Sequence, residues 1–188
     1  MTILSKIRDV NNYNVGGGAA SALAGSQASG MIGMVSNLSL GKNYGLPDEK
    51  YGELAVRTEE LSNLLFAGAE EDEIAFLKIR NAYKLPKETE FQKAIRKNAV
   101  QYGFVSAANT PLTNAYYCKE VCQIGQELLG RSNPNAETDL KIAIELAKIG
   151  LEGCIANIQA NIAMIKDEEI VRGFKKHILK LKEVEIIK

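Results

Sequence analysis

The chain has 188 residues, long enough for one domain with a sizeable core. Hydrophobic residues make up 46% and charged residues 24%, the balance of a globular protein rather than a disordered or fibrous one. Lysine plus arginine equals aspartate plus glutamate at 23 each, which argues against nucleic acid or an anionic membrane as the main partner.

Helical periodicity prevails along the chain, and no stretch alternates apolar and polar residues as a strand would. The expected fold class is therefore all-α: a single domain over 1–188, built as a bundle of about six or seven helices. A short amphipathic helix is expected from Ile3 to about Val10, followed by a loop from Asn11 that ends in Gly16, Gly17 and Gly18. A second helix runs from about Ala19 to Leu40. In it Gly25, Ser29 and Gly33 recur every four residues and lay a strip of small side chains along one face, which invites a close neighbour. This helix is too rich in glycine and serine for a membrane span.

Gly41 to Pro47 reads as a loop. The third helix, from about Lys50 to Lys84, aligns Leu61, Leu65, Gly68, Asp72, Ala75, Phe76 and Ile79 on one face and ends at Leu85-Pro86. Thr89-x-x-Gln92 is a capping box for a fourth helix, Glu90 to about Asn109, which Pro111 is expected to break or kink. A fifth helix spans Leu112 to Leu129, with Gly130 as its C-cap. After a loop through Pro134, a sixth runs from Glu137 to about Asp167 and a last one from Glu168 to about Lys182. The opening MTILSKIRDV has no apolar signal region, and three cysteines suit a reducing compartment, so a cytoplasmic location is expected. Cys118 and Cys122 share a helical face and read as buried small hydrophobes. With His177 far away near the C-terminus they make no metal site.

Four features go beyond a generic bundle. Gly16, Gly17 and Gly18 open onto a helix, where free N–H groups and the helix dipole suit a carboxylate, a phosphate or a carbonyl-rich ring; a flexible entry loop fits equally well. Asp72 lies on an apolar stripe, where a carboxylate is costly unless paired or functional. It either meets an arginine or lysine across the interface or has a raised pKa suited to proton transfer. Its neighbours Glu70, Glu71 and Glu73 are expected to be solvated. Asn157 and Asn161 lie four apart on a strip of small residues, able to bind a heterocycle or to join two helices, and Asp139 sits in the first turn of the same helix. Lys87, Lys93, Arg96 and Lys97 follow the third helix; basic residues near a glycine loop suggest an acidic substrate, while Lys93 and Lys97 read rather as a solvated helix face.

These features, in this order, resemble the formiminotetrahydrofolate cyclodeaminase and methenyltetrahydrofolate cyclohydrolase family over nearly the whole chain. Val15-Gly-Gly-Gly-Ala-Ala-Ser-Ala-Leu-Ala-Gly25 is similar to its glycine-rich entry and the helix after it. Asp72-Glu-Ile-Ala-Phe76 with Leu85-Pro86-Lys87 is similar to its central acidic helix and turn, Pro111-Leu112 to its kink, and Asn135 to Asp167 to its long final segment. The resemblance implies a helical fold assembled at least as homodimers, and a tetrahydrofolate derivative as substrate, with no cofactor or metal. A formiminotransferase is an implied partner, while nucleic acid and membrane are not.

By this resemblance Asp72 corresponds to the acid assigned to cyclodeaminase catalysis. The expected reaction is conversion of 5-formiminotetrahydrofolate to 5,10-methenyltetrahydrofolate and ammonia; the alternative is hydrolysis of the methenyl ring to 10-formyltetrahydrofolate. Gly16, Gly17, Gly18, Asp139, Asn157 and Asn161 are the expected substrate contacts, with Lys87 for the tail carboxylates. Val15 and Ala19 depart from the family, which has proline and serine there. A non-catalytic helical interaction protein is the reading from another class.

Overall fold

The structure, a computed structural model, describes residues 3–11 and 14–183. Six α-helices carry the described chain: α1 (Ile3–Ile7), α2 (Gly17–Asn37), α3 (Asp48–Tyr83), α4 (Glu90–Leu128), α5 (Glu137–Ile162) and α6 (Glu168–Lys182), with a single 3-10 turn at Pro134–Ala136 before α5. Among the described residues there is no strand, as the periodicity predicts.

The bundle's handover from helix to helix is written in its polar contacts. Ser26 of α2 donates to the Ser62 carbonyl of α3, Ser29 to that of Thr58 and Ser36 to that of Tyr51. Residue numbers rise on one helix as they fall on the other, so α2 and α3 are antiparallel. The same reading makes α4 antiparallel to α3, where Asn114 bonds Gly68 and Arg57 forks onto Glu120. It makes α5 antiparallel to α2, where Gly150 lies against Gly25 and Gly153, further along, against Ser21. The result is a four-helix, up-down-up-down bundle in the order α2, α3, α4, α5. Across its diagonal, α2 and α4 approach because the small-residue strip lets them: Gly25 faces the Cys118 thiol, and a Cβ there would overlap it. The core fills this space with aliphatic side chains such as Ile32, Leu61, Leu65, Val121, Leu128, Leu140 and Ile158. Cys118 and Cys122 are free and buried in it, as expected, and so is Cys154.

Helix starts follow local chemistry. Thr89 accepts from the Gln92 N–H while the Gln92 side chain bonds back to the Thr89 N–H, completing the predicted capping box. Asp167 caps α6 through the N–H groups of Glu169 and Ile170. No helix is long and apolar enough to cross a membrane among the described residues.

Several expectations are corrected. Pro111 does not end a helix: α4 runs 39 residues through it as one element, with the proline fully buried. The one carbonyl released by its missing N–H, that of Ala107, accepts a bond of 3.0 Å from the Asn161 side chain of α5. Gly17 and Gly18 belong to the first turn of α2 rather than to the loop. α1 stops at Ile7 and α5 at Ile162, both earlier than periodicity suggested. Glu73 is not solvated: it pairs with Lys6 at 2.6 Å and clamps α1 onto α3.

Candidate active site

Where α2 begins, its backbone lacks a cap. Gly16 occupies the N-cap position without a side chain, so the orphan N–H groups of the first turn need an acceptor from elsewhere. Asp72, on α3, supplies it: its carboxylate accepts a hydrogen bond from the Ala19 N–H. Gly18 makes the approach feasible, since a Cβ there would overlap both Asp72 carboxylate oxygens. The glycine triplet and the acid on the apolar stripe thus form one arrangement.

Around this contact lies a cavity of about 260 Å³ lined by Asn14, Gly16, Gly17, Gly18, Asp72, Phe76, Ala107, Asn157, Ala160 and Asn161. Asp72 is the one titratable residue lining it among the described residues. Burial pushes its carboxyl up from the ordinary 3.8 to about 6, and the Ala19 N–H pulls the other way. No lysine or arginine pairs with Asp72 among the described residues, so the structure does not give it the ion-pair partner that was the competing expectation.

Asn161 and Asn157 face each other along α5. The Asn161 amide nitrogen donates to the Ala107 carbonyl, to the Asn157 carbonyl at 3.0 Å and to Asn157 Oδ1 at 3.1 Å. With that nitrogen engaged, Asn161 has its side-chain oxygen to offer a ligand, and Asn157 its amide nitrogen. Asn14 is held in place by Arg80, whose Nη1 donates to Asn14 Oδ1 at 2.7 Å. Arg80 lies two turns beyond Asp72 on α3.

The structure therefore brings together Gly16, Gly17, Gly18, Asp72, Asn157 and Asn161. It does not bring in the other two expected contacts. Lys87 sits in the exposed turn between α3 and α4, outside the cavity. Asp139 lies in the first turn of α5, about 27 Å along the helix axis from Asn157 at 1.5 Å per residue. Sequence reasoning missed Asn14, which adjoins the glycine entry but carries no pattern of its own. It also missed Ala107, whose importance is in its backbone. Ala19, where the family has serine, is fully buried against Val15, Ala22, Leu23 and Ala69, and it contributes its N–H rather than its side chain. Val15 packs in the same cluster.

A second hollow of about 260 Å³ lies along the first half of α4. Lys93, Arg96, Lys97 and Lys166 line it, with Tyr83, Gln101, Phe104 and Met164. Arg96 is anchored by two bonds to the Tyr83 carbonyl and lies over the Tyr83 ring. Gln101 holds the α5–α6 connection through the Met164 carbonyl and the Lys166 N–H. Lys93 and Lys97 are exposed, as a solvated face requires, but that face is concave.

A helical bundle that holds one perturbed carboxyl among amides and helix-end N–H groups has the chemistry to hold a polar ring and to exchange a proton with it. The chain belongs to the formiminotransferase-cyclodeaminase family, whose model matches residues 6–180, and so to the folate one-carbon cyclodeaminases and cyclohydrolases. It is 30% identical over 171 residues to the methenyltetrahydrofolate cyclohydrolase of Methylorubrum extorquens, covering 90% of this chain and 79% of that protein. It is 25% identical to the formimidoyltransferase-cyclodeaminase of Gallus gallus, covering 89% of this chain but 31% of that one, so the chain spans about a third of the vertebrate protein's length. The solved structure of formiminotetrahydrofolate cyclodeaminase from Thermotoga maritima superimposes with a TM-score of 0.80 at 22% identity, covering 93% of this chain and 88% of that chain, and it shows the same fold.

Proposed function

We propose that the protein is a methenyltetrahydrofolate cyclohydrolase, with Asp72 as its proton-transfer group. The observation that carries the chemistry is the half-buried carboxyl raised to a pKa of about 6, the one titratable side chain lining the cavity among the described residues. The choice of reaction is supported by the 30% identical cyclohydrolase of similar length. It departs from the cyclodeaminase expected from sequence.

Water adds to the methenyl carbon between N5 and N10 and gives a proton to the Asp72 carboxylate, forming a carbinolamine. Asp72 then returns that proton to N5 as the carbon–N5 bond breaks. The hydroxyl proton leaves to solvent, and the formyl group remains on N10. The substrate's positive charge is lost as that one net proton. A group with pKa near 6 serves both directions of transfer at neutral pH. The amide nitrogen of Asn157, the oxygen of Asn161 and the N–H groups of the glycine turn suit the pterin ring. A cavity of about 260 Å³ takes a bicyclic ring rather than a whole folate. The tail then follows α4 to the basic hollow, where Arg96, Lys97 and Lys166 replace Lys87 as the partners of its carboxylates.

Cyclodeamination is the second reading, supported by the vertebrate relatives. There Asp72 carries the proton from N10 to the departing ammonia, and a formimidoyl-transferring partner supplies the substrate. Absorbance at the methenyl-folate band separates the two. Accelerated decay of the band from added 5,10-methenyltetrahydrofolate supports the cyclohydrolase. Growth of the band from 5-formiminotetrahydrofolate, with ammonia released and no accelerated decay, replaces it with the cyclodeaminase. Folate binding without either turnover overturns both in favour of a binding protein. We further propose self-association through α3, whose Phe66 and Ile74 stand 53% and 56% exposed two turns apart. A monomer by light scattering at assay concentration would refute it.

A further inference from the structure

Pro111 lies in the interior of α4, fully buried and outside the cavity. In an α-helix the N–H of residue 111 would bond the carbonyl of residue 107, and proline has no N–H to give. That carbonyl belongs to Ala107, which lines the cavity, and the donor it receives instead is the side chain of Asn161. Asn161 has two amide hydrogens and reaches three acceptors: Ala107 O, Asn157 O and Asn157 Oδ1. The Asn157 carbonyl and Oδ1 are on its own helix, so Ala107 O is the contact that fixes the amide against α4.

We propose that Pro111 is a positioning residue for the ligand site: by withholding an N–H it reserves the Ala107 carbonyl as the anchor that sets the orientation of Asn161, and through it of Asn157. The consequence is a defined polarity. Asn161 presents an acceptor and Asn157 a donor, the pattern that recognises a ring edge with an N–H beside a carbonyl, as in a lactam. A flip of either amide would present like to like. This use of the pair rests on the reading of the cavity as a pterin-type site; the anchoring itself does not.

Pro111→Ala and Pro111→Ser both restore the N–H at 111, with different bulk, and let α4 close its own bond to Ala107. The expected result is a folded, helical protein with KM raised about fivefold, the fold-change of one neutral hydrogen bond, and with kcat little changed. The substitution acts through Asn161, so adding Pro111→Ala to an Asn161→Ala background raises KM no further. Additive effects of the two substitutions would overturn the coupling, as would unchanged KM in both Pro111 variants.

The anchor has its own test without ligand. The Asn161 side-chain amide resonances, assigned by their loss in Asn161→Ala, shift and exchange faster with solvent in both Pro111 variants. If they stay unchanged, the anchoring is wrong whatever the protein turns over. If they move as expected while the wild type binds no folate, the failure lies with the reading of the site.

Discussion

At the scale of single residues, Asp72 is both the cap of α2 and the proposed proton carrier; burial favours its neutral form and the Ala19 N–H its charged one. Its folded pKa of about 6 lies above the ordinary 3.8, so the native state binds the proton more tightly than the unfolded chain. Its contribution to stability is fully present below about pH 3.8 and is lost as pH rises through about 6. Asp72→Asn keeps an oxygen for the Ala19 N–H but cannot ionise. We expect it to be more stable than wild type at pH 8, by up to about 3 kcal/mol from a shift of roughly two pKa units, with the difference gone below pH 4. Thermal melts across that range check it.

The same substitution should cut kcat at least about a hundredfold, the usual contribution of a positioned acid or base. In wild type, kcat/KM should rise through an apparent pKa near 6 as the carboxylate forms, and that limb should vanish from the residual activity of the variant. Gly18→Ala places a methyl group on the Asp72 carboxylate. Either the acid or the first turn of α2 must move, so a loss of about 1–3 kcal/mol is expected, measured by denaturant titration, together with a fall in kcat.

At the scale of elements, most of the architecture was legible because helices announce themselves by period and punctuation. The capping box at Thr89, the stop at Leu85-Pro86 and the small-residue strip of α2 all stand where the sequence puts them. Two of the failures share a cause: punctuation was read locally when its effect is decided by a neighbour. Pro111 reads as a break because nothing near it in sequence can accept the cost of a missing N–H, yet Asn161, fifty residues on, takes up the released carbonyl. The glycine triplet reads as a loop because glycine is a poor helix former, yet a carboxylate from α3 caps two of the three into a helix. The site divides in the same way. Asp72 and the asparagines were visible as polar residues on apolar or small-residue faces. Asp139 shared a helix with the asparagines but not an end of it. Close helix approach also sets a steric limit: a Cβ on Gly150 would press on the Ser21 carbonyl and the Gly25 N of α2. Gly150→Ala should therefore lower the melting temperature, despite alanine's better helix propensity.

Over the whole molecule, charges sum to zero while one groove is strongly basic. Formal balance excludes a general attraction to polyanions but says nothing of a hollow where Arg96, Lys97 and Lys166 converge. Those residues come from two distant stretches of chain, and Lys166 could not be placed beside α4 before the fold was known. Lys97→Gln with Lys166→Gln should raise KM for a folate about tenfold at low salt, with kcat unchanged. The difference should shrink as ionic strength shortens the screening length. A folate analogue lacking the glutamate carboxylates should not distinguish the variant from wild type.

The cap that Asp72 places on α2 also constrains how this protein can change over evolutionary time. A descendant that gives up chemistry cannot simply lose the acid, because the first turn of α2 would lose its acceptor and the glycine that makes room for it would face a void. The least disruptive route to an inactive binding protein keeps an oxygen at position 72, as asparagine does. A bundle of this shape with alanine there is expected to have rebuilt its glycine turn as well.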